Sequence, residues 1–517
     1  MRKSKFIMSV FFIILTSSTT LAKSADKVKI GSKIFGESML ISEMVAQLLE
    51  INHGLQVERK LGLGGTKVVF DALTTGGIDI YPEYTGTGYI MILKEDGLRD
   101  SKRVFARVQE QFNQKFQLEW SQPLGFNNTY TVAVRRNDKK FKNIENLSQL
   151  SDKDLNFKFA SAHEFMERQD GFNSLIKAYR LRFPPSNITS MQAGLMYSAI
   201  KNESVDMIMA YSTDGRIGAF NLKTLKDDLM FFPPYEVALL ASKNSLKKFP
   251  ALKAVMKTLA GEISETEMIE MNDQVDRLKR NIPLVAKNFL IGKGLIDGDV
   301  QTFEEESLIS FFKNRLPYLK KLFIEHMLLS LGALFMACLI SIPLGILLTR
   351  KEHLTKFIFP IVNTIQTIPS IALLGFMIPL LGIGYLPALI ALFLYSLLPL
   401  LRNTYEGIKG VDHNYIEASR GMGLSSFQIL RYVEIPLALP VMLAGLRTAA
   451  VIVIGTATLA AMVGAGGFGD PIFKGVATVN TRLIFLGAIP AALLAILVDK
   501  ILGIFEKIIV SPGLRDN

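Results

Sequence analysis

The pattern of apolar and polar positions changes near Tyr318 and divides the chain into two parts. Between residues 26 and 317, short apolar runs alternate with charged and polar positions. From residue 322 to residue 510, the sequence consists mostly of apolar runs, most of them long enough to cross a bilayer. The pattern predicts a water-soluble part followed by a membrane part within one polypeptide.

Residues 26–297 are predicted to form strands and helices in alternation. This order favours parallel sheets covered by helices, and the stretch is long for a single sheet. We therefore expect two α/β lobes with a ligand-binding cleft between them. The predicted strands are residues 28–34, 55–61, 78–81, 129–135, 157–161, 205–211 and 236–241, and the predicted helices include 38–50, 66–75, 170–179 and 191–201.

Residues 298–321 are a predicted linker, and residues 322–510 are predicted to form an all-α membrane domain of about five helices. Prolines interrupt the second and third apolar runs, which is tolerated where neighbouring helices satisfy the freed backbone groups. The five runs are residues 322–348, 357–381, 386–401, 437–463 and 483–510.

Positive charge is distributed unequally around these runs. Arg350 and Lys351 follow the first run, and residues 402–436 carry several more Lys and Arg, whereas Lys474 and Arg482 lie on the other side. Lys and Arg concentrate in cytoplasmic loops. We therefore expect the bacterial cytoplasmic (inner) membrane, with the soluble part on the outer (periplasmic) side and the C-terminus in the cytoplasm.

Residues 1–22 have the order of a secretory signal peptide. Arg2, Lys3 and Lys5 precede a short apolar core, which is followed by small residues ending at Ala22. The alternative is an uncleaved anchor. The soluble part is exported in either case.

Composition excludes several classes of function. Much of the net charge of +11 is assigned to the membrane edges, and no basic segment with interleaved aromatics indicates nucleic acid. Cys338 is the single cysteine and the five histidines are scattered, so no metal site, cofactor or catalytic set is expected.

Two glycine-rich segments, GAGGFG (464–469) and GLGGTK (62–67), lack the context or the spacing of a nucleotide-binding loop. No nucleotide-binding site is therefore expected on this chain.

Four tyrosines lie beside Gly, Pro, Asn or Asp, where chains turn and pockets form. They are Tyr84, Tyr130, Tyr211 and Tyr235. Ordinary packing is sufficient to explain any one of them. Several aromatic faces around one point, however, hold a cation in the way that quaternary ammonium groups are recognised.

The segments that carry these tyrosines resemble the osmoprotectant-binding proteins of the glycine betaine/choline class. The resemblance extends over about residues 27–295 and consists of six segments in order: GSKIFGES, GGTKVVFDALTTGGIDIYPEYTGT, GFNNTYTVAVR, HEFMERQDG, YSTDGRIGAFNL and FFPPY. It implies a tyrosine cage made by Tyr84, Tyr130, Tyr211 and Tyr235, which would hold a trimethylammonium group.

The same resemblance implies further roles for single residues. Thr87 matches a threonine that helps to hold a ligand carboxylate. Ser38 departs from the family, which commonly has glutamine at this position. Arg168 could supply a fork for a carboxylate, or it could form a surface or lobe–lobe ion pair.

Residues 402–436 form a predicted cytoplasmic excursion between membrane helices. EASRGMGLSSFQILRYVEIP (417–436) fits a helix, a tight turn at residues 421–423 and a second helix ended at Pro436. It resembles the coupling loop of ABC importer permeases, with Glu417, Ala418, Ser419, Gly423 and Pro436 at matching positions. The alternative is an amphipathic helix on the inner leaflet. The resemblance implies docking on a separate cytoplasmic ABC ATPase, and we expect a homodimer of this chain.

These observations predict a fused substrate-binding and permease subunit of an ABC importer for a quaternary-ammonium solute such as glycine betaine or choline. Another small zwitterion, such as a betaine-type thiol similar to ergothioneine, is an alternative ligand. A ligand-gated channel is a further alternative, but no TVGYG-like filter is present.

Overall fold

The computed structural model describes residues 26–151, 155–303 and 307–510. The predicted signal peptide lies outside the described residues. Within them, the soluble part contains two sheets and the remainder is helical, in agreement with the predicted fold class.

The soluble part has two lobes, each built on a five-stranded sheet. The sheet of lobe 1 has the order β2-β1-β3-β10-β4, and that of lobe 2 has the order β7-β6-β8-β5-β9. The strands are β1 (Val28–Gly31), β2 (Val57–Lys60), β3 (Ile80–Tyr84), β4 (Leu118–Trp120), β5 (Tyr130–Arg135), β6 (Phe159–Ala162), β7 (Ile188–Met191), β8 (Met207–Tyr211), β9 (Leu222–Leu225) and β10 (Val237–Ser242).

The expectation of parallel sheets is only partly correct, because both sheets are mixed. Strands β1, β2 and β3 are parallel, but β10 runs antiparallel to β3 and β4. In lobe 2, β5 runs antiparallel to β8 and β9. Strands β5 and β10 are the first strands after the chain crosses from one lobe to the other. Each strand enters its sheet from the side of the other lobe, so it is antiparallel to the two strands beside it.

Helices cover both sheets. The helix Gly36–His53 is buried along most of its length and ends at Gly54, whose φ of 63° is readily adopted by glycine. The helices of the soluble part are Gly36–His53, Thr66–Thr74, Thr85–Thr87, Ser101–Phe116, His163–Glu167, Phe172–Ala178, Ala193–Lys201, Arg216–Ala219, Lys243–Lys248, Ala251–Thr258, Glu265–Asp276 and Ile282–Gly292.

The membrane part contains, within the described residues, four helices long and apolar enough to cross a bilayer, or five if a bent pair counts as one span. Its helices are Leu308–Asn314, Leu316–Arg350, Thr355–Thr367, Ser370–Leu381, Tyr385–Lys409, His413–Gly421, Ser426–Ile429, Ile435–Thr456, Gly469–Ala477 and Thr481–Ile509, with a 3-10 turn at Ala457–Val463.

The second apolar run is the bent pair rather than one straight helix. Its two halves meet at an angle of 99°. Ile368 is extended, because the ring of Pro369 disfavours helical backbone in the preceding residue. The second half therefore starts in a new direction.

The predicted end of a helix at Pro436 is wrong. The predicted coupling loop lies within residues 409–436, which are called the coupling segment below. Its first helix does end at Gly421, and Gly423 follows with a φ of 82°. The second helix begins at Ser426 and continues through a π-helical turn, Leu430–Glu434, into Ile435–Thr456. Pro436 is the second residue of that last segment and directly follows the π-helical turn.

Candidate functional site

The predicted tyrosines lie where strand ends from both lobes face the cleft. Tyr84 is the last residue of β3 and Tyr211 the last of β8, whereas Tyr130 is the first of β5. Tyr235 comes shortly before β10. Because β5 and β10 run against their neighbours, their amino ends lie beside the carboxyl ends of β8 and β3. This arrangement brings the four tyrosines to one cavity.

Three of the tyrosines form a contact cluster. Tyr130 and Tyr211 are directly opposite each other in the β5–β8 pair, with ring centroids 5.3 Å apart. The Tyr235 ring lies 5.6 Å from Tyr130 at an angle of 87°. Phe165 and Phe232 pack against Tyr130 from behind, at 4.8 and 5.5 Å. The cluster therefore presents ring faces in different orientations to the same space.

Tyr84 and Thr87 line the cleft from lobe 1. The Tyr84 ring packs against Phe35, with centroids 6.0 Å apart, and Thr87 is almost fully buried. Gly86, which lies between these two residues in the chain, packs against Tyr235 of the cluster. A Cβ at this position would lie 2.6 Å from the Tyr235 ring. Only glycine allows the turn to approach Tyr235 this closely.

Arg168 lies in the cleft, 5% exposed, with its guanidinium over two of the tyrosine rings. Its Cζ is 5.3 Å from the Tyr130 centroid and 5.8 Å from that of Tyr235. Nε and Nη2 each donate to Asp170 at 2.7 Å, whereas Nη1 lies 3.8 Å from Glu164. Burial favours the neutral guanidine, but the Asp170 carboxylate outweighs it, and the pKa of Arg168 lies well above its ordinary value. Arg168 is therefore a permanent cation of the cleft, with one edge committed to Asp170.

Glu37 was not identified from the sequence, although it lies inside the GSKIFGES segment. Its carboxylate is buried and accepts four hydrogen bonds, from Tyr84 Oη at 2.7 Å, Asn128 at 2.8 Å, Thr213 at 2.6 Å and Asn272 at 2.7 Å. Burial raises the pKa of Glu37, and these four donors oppose the rise. Glu37 thus connects lobe 1 to lobe 2 and orients the Tyr84 ring.

Two further carboxylates organise the site. Glu83 forms a buried ion pair with Lys33 at 2.6 Å, and Lys33 Nζ lies 5.0 Å from the Tyr84 centroid. Glu164 of lobe 2 accepts a hydrogen bond from Thr66 of lobe 1 at 2.9 Å. The lobes are therefore joined across the cleft.

Ser38, the departure from the family pattern, does not line the cleft. Its side chain is fully buried and accepts a hydrogen bond from the backbone N–H of Lys33 at 2.9 Å. It shapes the loop that carries Lys33 rather than facing a ligand.

The cleft cavity has a volume of about 460 Å³. Burial raises the pKa of Tyr84, Tyr130 and Tyr235 well above the ordinary value, so their hydroxyls stay neutral. The cavity therefore combines neutral aromatic faces with fixed ion pairs, which suits a ligand that carries a cation without hydrogen-bond donors.

The second predicted site, on the coupling segment, is largely exposed. Glu417 and Ala418 are exposed on the helix His413–Gly421, and Glu417 lies 3.2 Å from His413. Ser419 is buried and donates to the carbonyl oxygen of Tyr415 at 2.6 Å. Gly423 and Pro436 are exposed. Four large exposed side chains lie on the same segment: Tyr415, Met422, Phe427 and Tyr432.

Comparison with known proteins identifies both parts. The chain belongs to the family of substrate-binding domains of ABC-type glycine betaine transport systems, which matches residues 26–292. Residues 341–511 match the inner membrane component of binding-protein-dependent transport systems. The chain is therefore an ABC importer subunit in which a binding domain and a permease domain share one polypeptide, and the resemblance found in the sequence is confirmed.

Individual relatives match one part each. The soluble part is 36% identical over 307 residues to the carnitine transport binding protein OpuCC of Listeria monocytogenes, covering 57% of this chain and 99% of that protein. The membrane part is 46% identical over 191 residues to the glycine betaine/carnitine/choline transport system permease protein OpuCB of Bacillus subtilis, covering 37% of this chain and 88% of that protein. A crystal structure of a glycine betaine/carnitine/choline ABC transporter is 33% identical, with a TM-score of 0.46, and covers 52% of this chain and all of that chain.

Proposed function

We propose that this subunit imports a quaternary-ammonium solute such as glycine betaine, choline or carnitine. The observation that carries the proposal is the cluster of Tyr130, Tyr211 and Tyr235, two of whose ring faces already hold the guanidinium of Arg168. A trimethylammonium group has no N–H to donate, so aromatic faces stabilise it better than hydrogen-bond acceptors. The names of the relatives support the same class of ligand.

A carboxylate on the ligand would bind at Arg168 and Thr87. Nε and Nη2 of Arg168 donate to Asp170 whereas Nη1 does not, and Arg168 and Thr87 both line the cavity. A carboxylate there would compete with Glu164, which lies 3.8 Å from Nη1.

A larger zwitterion, such as a betaine-type thiol similar to ergothioneine, is the second candidate. The cavity of about 460 Å³ is within the range of pockets that hold drug-sized ligands. Such a ligand would use the same cage for its trimethylammonium group and the remaining space for its ring.

Calorimetric titration of the full chain in detergent tests the ligand class. The panel contains choline, glycine betaine, carnitine, ergothioneine and, as a neutral control, the isosteric alcohol 3,3-dimethylbutanol. We expect the cationic compounds to bind and the neutral alcohol to fail. Equal binding of choline and its neutral isostere would contradict the cage.

ATP hydrolysis is assigned to a separate ATPase that docks on the coupling segment. The exposed side chains of Tyr415, Met422 and Phe427 beside Glu417 support this role. Glu417→Lys is expected to abolish uptake of radiolabelled ligand and leave binding intact. Glu110→Lys, a charge reversal on the surface of the soluble part, is the matched control. Normal uptake by Glu417→Lys would contradict this assignment.

A homodimer of this chain with two ATPase copies is the proposed assembly. The described residues of one chain contribute four or five spans and one coupling segment, and symmetric closure is the commonest way to complete such an assembly. Native mass spectrometry of the complex purified through a tag on this chain should give a 2:2 ratio. A complex with one copy of this chain would contradict the proposal.

The proposed orientation places the binding domain outside and the coupling segment in the cytoplasm. In a Cys338→Ala background, Lys67→Cys on the soluble part and Met422→Cys on the coupling segment are both highly exposed. An impermeant thiol reagent added to intact spheroplasts should label the first and not the second. The reverse result would contradict the orientation.

A further inference from the structure

The floor of the ligand cleft is made by the membrane domain. The cavity that contains Tyr130 and Arg168 is also lined by apolar residues from two membrane segments. These residues are Ile371, Leu374, Gly375 and Ile378 on the helix Ser370–Leu381, and Met462 and Val463 at the end of the 3-10 turn. A ligand in the cage therefore faces the permease domain of the same chain.

Contacts around this floor hold the two domains together. Lys279, which follows the last helical turn of Glu265–Asp276, donates to the backbone carbonyl of Thr478. Ile383 packs against the hydrophobic core of lobe 1, and Leu63 lies over Gly464. These contacts place the floor directly beneath the cleft.

Leu374 separates the cleft from a second cavity inside the membrane domain. The second cavity has a volume of only about 10 Å³ and is lined by Leu374 together with Ser370, Tyr395 and Thr456, among others. Leu374 is 5% exposed and packs in an apolar cluster with Ala388 and Leu392. The Leu374 side chain therefore lines both cavities.

The segment that carries Leu374 is bounded by residues that allow it to move as a unit. Pro369 precedes it, at the bend of 99°, and Gly382 and Gly384 follow it with φ values of 76° and 108°. The N–H of Gly384 donates to the carbonyl of Val463 at 2.6 Å. This bond connects the two segments of the floor, so displacement of one is transmitted to the other.

We propose that Leu374, with Ile378, Met462 and Val463, forms the outer gate of the permease, through which the bound ligand leaves the cleft toward the space at Ser370, Tyr395 and Thr456. An apolar constriction blocks water and ions while it is closed, because hydrated species lose their solvation in it. Rotation of the short helix about its proline and glycine ends would remove Leu374 from between the two cavities. This inference rests on the proposed function, since it needs a ligand in the tyrosine cage.

Protection of a cysteine by bound ligand tests the gate. In the full-length Cys338→Ala chain, Leu374→Cys is compared with Lys67→Cys, which is 87% exposed on the surface of the soluble part and outside the cleft. Ligand at ten times its dissociation constant leaves about one tenth of the sites empty, so an impermeant thiol reagent should label Leu374→Cys about tenfold more slowly. Labelling of Lys67→Cys should not change. Choline and glycine betaine are the probes.

A bulky substitution at the same position is the second test of the gate. Leu374→Trp should abolish uptake while choline binding is retained, and Leu380→Trp should leave both unchanged. Normal uptake by Leu374→Trp, or binding without any change in the labelling of Leu374→Cys, would overturn the gate alone. A wild-type chain that binds none of the trimethylammonium compounds would overturn the proposed function and the gate with it.

Discussion

The guanidinium of Arg350, at the end of the first long membrane helix, pairs with the carboxylate of Glu434 in the π-helical turn of the coupling segment. Glu434 is 2% exposed on its side chain, whereas Arg350 is about half exposed. A second pair, Lys409 with Glu352 at 3.1 Å, joins the start of the same segment to the residues just after that helix. Ion pairs therefore connect both ends of the coupling segment to the end of the first membrane helix and the residues just after it.

This arrangement predicts that Glu434 transmits movement of the coupling segment. Glu434→Arg should reduce uptake at least about tenfold, since it places a second positive charge at a buried position beside Arg350. The double variant Arg350→Glu with Glu434→Arg should recover part of the uptake. Radiolabelled uptake and choline binding are measured in parallel.

The Lys409–Glu352 pair supplies the control for this prediction. Exposed ion pairs contribute little, so Lys409→Gln should retain nearly normal uptake. Failure of the charge exchange to restore any uptake, with all variants normally inserted, would contradict the role of the Arg350–Glu434 pair.

The tyrosines of the cage should differ in their tolerance of phenylalanine. Replacement of Tyr130 by Ala should reduce choline affinity about tenfold or more, because a ring face contributes roughly 0.5–2 kcal/mol. Tyr130→Phe keeps the ring and should cost much less. Tyr84→Phe should cost about as much as an alanine substitution, because Glu37 loses a buried donor worth about 1–3 kcal/mol. Equal effects of the two Phe variants, measured by calorimetry, would contradict the role of Glu37.

Arg168 should distinguish ligands with a carboxylate from those without one. Arg168→Ala removes Nη1, which does not bond Asp170, so glycine betaine should lose at least about tenfold more affinity than choline. Arg168→Lys keeps the positive charge without the fork and is the matched control. An equal loss for the two ligands would indicate that Arg168 only supports the rings of Tyr130 and Tyr235.

Gly86 should be intolerant of a single added carbon. Gly86→Ala places a methyl group 2.6 Å from the Tyr235 ring and should displace it, reducing affinity for all trimethylammonium ligands. Gly218→Ala is the control, since nothing lies within 4 Å of that position. Unchanged affinity of Gly86→Ala would show that the turn can move without affecting the cage.

The pH dependence of stability should contain a contribution from Asp276. Burial raises the pKa of Asp276 to about 6 from 3.8, although Arg216, at 3.4 Å, opposes the rise. The folded protein then holds this proton more tightly than the unfolded chain, so the contribution to stability is present below about pH 4 and is lost as the pH rises to about 6. The melting temperature of Asp276→Asn should fall less than that of the wild type between pH 4.5 and 6.5. Identical profiles would contradict this assignment.

The sequence by itself determined the features that depend on local pattern. The change in hydropathy near Tyr318, seven of the ten strands of the two lobes, several of their helices and most of the membrane helices follow from periodicities within ten to thirty residues. Tyr84, Tyr130, Tyr211 and Tyr235 could be selected because each lies at a turn, and the coupling segment because its helix–glycine–helix order is contiguous.

Only the tertiary structure decided which of these residues meet. Glu37 contacts Asn272, which is 235 residues away, and no local pattern distinguishes a carboxylate in a first helical turn from one in a cleft. The direction of β5 and β10 depends on how the chain crosses between lobes, and it places Tyr130 opposite Tyr211. The floor of the cleft joins Leu374 to residues of the binding domain for the same reason: contacts between distant segments are set by packing of whole elements rather than by the order of residues within one.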